Sequence, residues 1–296
     1  MPLTARSPLA VRRLRTVVVC IAVLCAARAA VFADHAASDA DYRRISTDTQ
    51  RNIDRFMTLR MTLSTLPTRD DAVAAVRAFE RDTVSETRST HGEMEALILE
   101  NFIVMELFNC YYDDPPMSRA EFRQLLADQK AKNDAFFKAT KGARYNAWFW
   151  ATSGDVFSCW TTFSIKDILF YGMEIRDYYL AGYAEDAHCS YLLTDVAQWY
   201  LNAPKVAGGS KSKARAYFEA ARAAARTDAE SYFADIFLSQ FLFEQKDYQQ
   251  CTALLDEAAA LNPGSSYIAL LRAQNAAGRS LYQYNRKRSN IDATKQ

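Results

Sequence analysis

Residues 235–263 read DIFLSQFLFEQKDYQQCTALLDEAAALNP, and their spacing decides the fold. Leu238, Leu242 and Leu255 are placed to fill the seam between two antiparallel helices, about 229–245 and 248–261. Small residues at Ser239 and Cys251 let those helices approach closely, and Ala258 admits a further helix behind them. Pro263 cannot continue a helix, so it stops the second one.

The pattern recurs upstream. Leu193, Val196-Ala197 and Tyr200, then Ala214, Phe218 and Ala221, form a second copy. Ala221 precedes Ala258 by 37 residues, whereas Ala197 precedes Ser239 by 42. The difference is a longer loop, 203–213, holding Pro204 and Gly208-Gly209. A third, degraded copy begins at Trp150 and Ser153-Gly154, with Ile175, Tyr179 and Gly182 on its second helix. Over about 145–283 the chain resembles the tetratricopeptide-repeat (TPR) family, whose unit carries W-x2-L-G-x2-Y…A-x3-F…P. It departs from that family where Asp235 replaces Trp and Ser239 replaces Gly, and in its 37-residue spacing.

The resemblance implies a solenoid in which the first helix of each pair lines a concave groove. The analogous face here is Tyr191, Thr194, Gln198 and Asn202, then Phe233, Ile236, Gln240 and Phe243. Each set recurs at three- and four-residue steps, so each shares one helix face. Gln198 and Gln240 hold the same repeat position, and neutral amides beside aromatic rings suit an extended peptide or an amphipathic helix. Core packing is the competing account of Phe233 and Ile236. Residues 266–283 are then expected to form a capping helix.

Helical periodicity covers the rest of the chain, at about 38–64, 70–88, 92–112, 118–140, 144–161, 164–182, 187–203 and 211–226. Pro67 and Asp70-Asp71 separate the first two helices, and Pro115-Pro116 ends the third. Ser118 with Glu121 makes a capping box for the fourth. The expected fold is all-α and built of antiparallel helix hairpins. An N-terminal helical region (36–140) precedes a TPR-like α-solenoid (145–283), a capping helix and a basic, polar tail (284–296).

Composition agrees. The 296 residues are 50% hydrophobic, too apolar for a disordered chain. Nine Gly and seven Pro argue against turn-rich sandwiches and glycine-loop nucleotide folds. At the N-terminus Arg12, Arg13 and Arg15 precede the apolar run 16–27, and Ala29, Ala30 and Ala33 follow. Basic, apolar, small is the order of a secretory signal peptide, so residues 1–33 are expected to be cleaved after Ala33. The product is then periplasmic or extracellular. An uncleaved anchor and a lipid-modified Cys25 are the alternatives, and membrane contact is expected only with them. Cleavage leaves 31 basic against 35 acidic residues, which favours no nucleic acid. Cys110, Cys159, Cys189 and Cys251 allow three pairings, but no Cys-x-x-Cys motif occurs and buried free thiols are expected.

Catalytic motifs are missing. His91 and Glu95 lie four apart without further metal ligands, and His188-Cys189 are adjacent and so point apart on a helix. Asp167, Glu174 and Asp177 share a face among aromatics, a pattern of sugar-cleaving sites and, more commonly, of solvated helix faces. No Gly-x-Ser-x-Gly, His-Glu-x-x-His, phosphate or calcium loop is present. The expectation is a non-enzymatic scaffold for a protein or peptide, without metal or cofactor, and compatible with an oligomer. A looser resemblance, on export, helical repeats and the 208–214 block, is to the TPR-containing T-component of TRAP-type importers. That resemblance implies a ligand-handling accessory protein for a small apolar molecule or organic acid, with a cavity among the 145–183 aromatics.

Overall fold

A computed structural model describes residues 41–112 and 116–288. The expected leader, Cys25, His35, Pro115 and the end of the tail lie outside the described residues. Residues 41–139 and 144–288 form one compact unit. The separate turn at 140–143 is closed by the Ala143 N–H donating to the Thr140 carbonyl at 3.0 Å.

The all-α expectation holds among the described residues. Twelve helices run as α1 (Thr47–Thr62), α2 (Arg69–His91), α3 (Glu93–Tyr111), α4 (Arg119–Ala139), α5 (Ala147–Thr161) and α6 (Ile165–Glu185). They continue as α7 (Ser190–Asn202), α8 (Lys211–Ala224), α9 (Asp228–Glu244), α10 (Tyr248–Leu261), α11 (Ser266–Ala276) and α12 (Leu281–Arg288). The sole sheet among them pairs β1 (Asp41–Tyr42) in parallel with β2 (Arg144–Tyr145).

Local chemistry sets the boundaries. The Ser118 box forms as expected: the Ser118 N–H donates to Glu121 Oε2 at 2.9 Å, and the Glu121 N–H to Ser118 Oγ at 3.3 Å. The first helix starts at 47 rather than 38, because Ser46 caps it by accepting from the Thr49 N–H at 3.0 Å. The expected 266–283 helix is two helices. Gly278, at φ +74, turns the chain out of α11, and Ser280 caps α12 by accepting from the Gln283 N–H at 3.1 Å. A positive φ there favours glycine, which has no Cβ to clash.

Sequential helices pair as hairpins, α2 with α3, α5 with α6, α7 with α8 and α9 with α10. The seam residues read from the sequence are buried: Ala214, Phe218, Ala221, Leu238, Ser239, Leu242, Cys251, Leu255 and Ala258. Asp235, where the repeat pattern has Trp, instead accepts from Arg222 Nε at 2.6 Å across α8 and α9. Helices also approach closely at Gly182. A Cβ there would lie 2.9 Å from Leu192 Cδ2 and 3.0 Å from Trp150 Cβ, so glycine lets α5, α6 and α7 meet.

The regions 36–140 and 145–283 do not separate. Asn262 Nδ2 donates to the Met61 carbonyl at 2.7 Å, and Ser266 Oγ to the Ser64 carbonyl at 2.5 Å. Helix α1 packs on α9, because its ridge of Ile53, Phe56, Met57 and Met61 needs an apolar cover. Helix α3 is buried almost all round and packs on α1, α2, α4 and α5.

Candidate functional site

The inner-face residues implied by the repeat resemblance fall into three environments. Ile236, Gln240 and Thr194 are buried. Gln240 Oε1 accepts the Leu281 N–H at 2.9 Å, so α12 occupies the amide that was expected to meet a partner. The Thr194 hydroxyl donates within its own helix to the Ser190 carbonyl at 3.1 Å. Gln198 and Phe243 are half-buried and Asn202 is exposed. Asn202 Nδ2 donates to the Gln198 carbonyl at 2.9 Å, and the Phe243 ring lies edge-on to Tyr248 at 5.2 Å.

Tyr191 and Phe233 meet a helix, and it is the chain's own. Arg60, from the last turn of α1, sits 4.6 Å from the Phe233 ring centre and 6.0 Å from that of Tyr191. Its Nε is 3.0 Å from Glu106 Oε2 of α3, and both side chains are largely buried. Burial opposes the Arg60 charge, but Glu106, with Tyr191, Asp155 and Asp195, raises its pKa above the ordinary value.

Around this pair lies a polar centre that sequence reasoning missed. Asp155 of α5 accepts from the Tyr179 hydroxyl at 2.8 Å and the Tyr191 hydroxyl at 2.6 Å. Burial pushes the Asp155 carboxyl above its ordinary range, against the two tyrosine hydrogen bonds and Arg60. Asp195 of α7 is pushed further up by burial and then by the Asp155 charge. Its Oδ2 has no hydrogen-bond partner, and Gln198 Nε2 stands 3.5 Å from Oδ1. Two buried carboxyls with one good set of donors favour a state in which Asp155 is ionised and Asp195 holds a proton. Burial likewise raises the Tyr179 and Tyr191 hydroxyls, so both stay protonated donors at neutral pH. One signal existed in the sequence: Glu106, Asp155 and Asp195 each interrupt a strongly apolar helix.

A second buried network ties α3, α4 and α5. Asn101 Oδ1 accepts from Gln129 Nε2 and Asn133 Nδ2, both at 2.9 Å, while Asn101 Nδ2 donates to Thr152 Oγ1 at 3.1 Å. The aromatics of 145–183 pack on one another. Phe137 stacks on Trp150 at 4.9 Å and lies edge-on to Tyr145 and Tyr178, and Phe149 and Phe157 are fully buried.

At the surface, the β1–β2 ladder brings Arg43 and Arg44 to Arg144. With Asp41 and Glu185 they line an open cavity of about 450 Å³. Arg43 Nε donates to Asp41 Oδ1 at 2.7 Å, and Arg144 grips Glu185 with two bonds of 2.9 and 2.7 Å. Hydrogen bonds from Arg43 hold the Asp41 carboxyl well below its ordinary range. Arg44 has no ion-pair partner among the described residues.

The remaining candidates have ordinary partners. Asp167 accepts from Arg123 Nη2 at 2.6 Å, and Asp177 from Arg176 Nη2 at 2.7 Å. Helix α2 ends at His91 and α3 begins at Glu93, so His91 and Glu95 share no face; Glu95 instead accepts from the Ser46 hydroxyl at 2.7 Å. All four described cysteines are free thiols. Burial raises Cys189 to about 12, leaving it a poor nucleophile. Among the described residues, no three His, Cys, Asp or Glu gather into a metal-holding group, and no helix is long and apolar enough to cross a membrane. No protein-family model matches the chain, and a search of curated proteins finds no match.

Proposed function

We propose that the chain is an exported, non-catalytic scaffold of TPR-like helical repeats that holds a protein or peptide on the inner face of α7 and α9. One observation carries this: the inner face already engages an amphipathic helix, α1, through Phe233 and Tyr191 against Arg60. A face that accepts one helix by an apolar ridge and a cation over an aromatic ring has the chemistry to accept another. Gln198, Asn202 and Phe243 are at least partly accessible and lie clear of Arg60, so a partner reaches the face from that end. The test immobilises the full chain, exposes it to envelope extract and identifies retained polypeptides by mass spectrometry. The double variant Gln198→Ala, Phe243→Ala is expected to lose a specific polypeptide at unchanged helicity. Equal retention by the variant would overturn the assignment.

A second reading, ligand handling like that of a TRAP T-component, has the arginine-lined cavity in its favour. Arg44 with Arg43 and Arg144 suits the carboxylates of an organic acid better than an apolar molecule. Calorimetric titration with a dicarboxylate such as succinate tests it. Binding that disappears in Arg44→Ala supports it, and no heat at millimolar ligand removes it.

A further inference from the structure

Helix α6 turns Ile175, Tyr179 and Gly182 inward. On its outer side Leu169 and Phe170 are each 74% exposed, among the most exposed large apolar residues described. They are not isolated. Lys166, Phe170, Met173 and Asp177 follow one another at steps of four, three and four, the spacing of a coiled-coil seam. At 100° per residue these four fall within about 60° of one another on the helix, with Leu169 alongside. Lys166 is exposed, Met173 half-buried and Asp177 exposed.

The seam is charged at its two ends and apolar between, with opposite signs at the ends. Such a pattern is complementary to itself when reversed. Two copies of α6 laid antiparallel about a two-fold axis between residues 171 and 172 set Phe170 against Met173 of the second copy. The same register sets Lys166 against Asp177 at both ends. Lys166 has no ion-pair partner among the described residues. Arg176 holds Asp177 through Oδ1 alone, at 3.1 and 2.7 Å, which leaves Oδ2 for a second cation.

We infer that the outer face of α6 is an isologous interface for a second copy of this chain, centred on Phe170 and Met173 and registered by reciprocal Lys166–Asp177 pairs. Neither pair of residues belongs to the inner face of α7 and α9, so a dimer here and a partner there are separate outcomes. The ridge is about three turns long, which places the contact in the small, transient class, below about 1,200 Å² in total. A dissociation constant on the order of 100 µM is the matching expectation.

Sedimentation velocity on the full chain, from about 5 µM to about 1 mM, tests the interface. The wild type is expected to shift from monomer to dimer across that range. Phe170→Glu is expected to remain monomeric throughout, with unchanged circular dichroism and melting because the side chain is exposed. Lys166→Asp and Asp177→Lys each put like charges together twice, and each is expected to weaken the dimer about tenfold. The swapped double variant, Lys166→Asp with Asp177→Lys, is expected to return to within about threefold of wild type. A wild type that is monomeric at about 1 mM overturns the interface, as does a dimer indifferent to Phe170→Glu. Failure of the swap to restore association overturns the antiparallel register. Monomer at every concentration, with Phe170-dependent sedimentation on mixed phosphatidylcholine and phosphatidylglycerol vesicles, would replace the second copy with a lipid surface.

Discussion

The hairpins α7–α8 and α9–α10 close on small and apolar residues, Ala214, Ala221, Ser239, Cys251 and Ala258. The region between α1 and α7 closes on charge and amides: Arg60 with Glu106, Asp155 with two tyrosines, and Asn101 with Gln129 and Asn133. In the first region the contacts join neighbouring helices of one hairpin, and a wrong side chain costs space. In the second, Asn101 reaches Thr152 and Tyr191 reaches Asp155 across long separations, and a missing partner leaves a buried polar group unmet. The difference predicts two distinct patterns of sensitivity to substitution.

The largest effect is expected on the charged side. Arg60→Ala leaves Glu106 buried without its cation and removes the contact with Phe233, lowering stability by about 3–5 kcal/mol in urea unfolding. A loss below about 1 kcal/mol would show that α1 is not locked by this pair. Asn101→Leu comes next, because Gln129 and Asn133 lose their shared acceptor, at about 2–3 kcal/mol. Where α6 meets α5 and α7, Gly182→Ala inserts a Cβ 2.9 Å from Leu192 and should lose about 1–3 kcal/mol by overpacking. Thermal unfolding that is unaltered would mean the three helices separate freely there.

The smallest expected change has the opposite sign. Burial raises the Asp195 carboxyl, so the native state binds a proton more tightly than the unfolded chain. Stability from this group is therefore greatest at low pH and declines as pH rises through its native range. Asp195→Asn keeps the shape without the charge and should be more stable than the wild type near pH 8. That gain should vanish below about pH 3, beneath the ordinary aspartate value of about 3.9, where Asp195 is protonated in both states. A variant equally stabilised at both pH values would place the cause elsewhere than in ionisation.

These two regions were not equally legible. The positions Ala197, Ala221, Ser239 and Ala258 announced helix pairs because a small residue in an otherwise apolar helix face has one physical use, close approach. The Ser118–Glu121 box was readable for the same reason, since both partners lie within one turn. Asp155 and Asp195 were visible only as single acids in apolar helices, and nothing local said that they shared a centre. That Tyr191 and Phe233 lie against Arg60 was not legible at all. Tyr191 and Phe233 follow the repeat spacing, while Arg60 is far upstream on a helix whose packing partner no periodicity reveals. The bond from the Leu281 N–H to Gln240 was hidden for a related reason: α12 returns over Gln240 after Gly278 turns the chain.

From sequence alone came the helical class, most helix ends and the small-residue seams, all set by interactions spanning a few turns. Only the tertiary structure decided that α1 closes on α9, that the two halves make one unit and that the acids converge on Arg60. Those outcomes depend on which apolar ridges find each other once the local helices exist. That choice is made by the burial of whole faces, and no short stretch of chain encodes it.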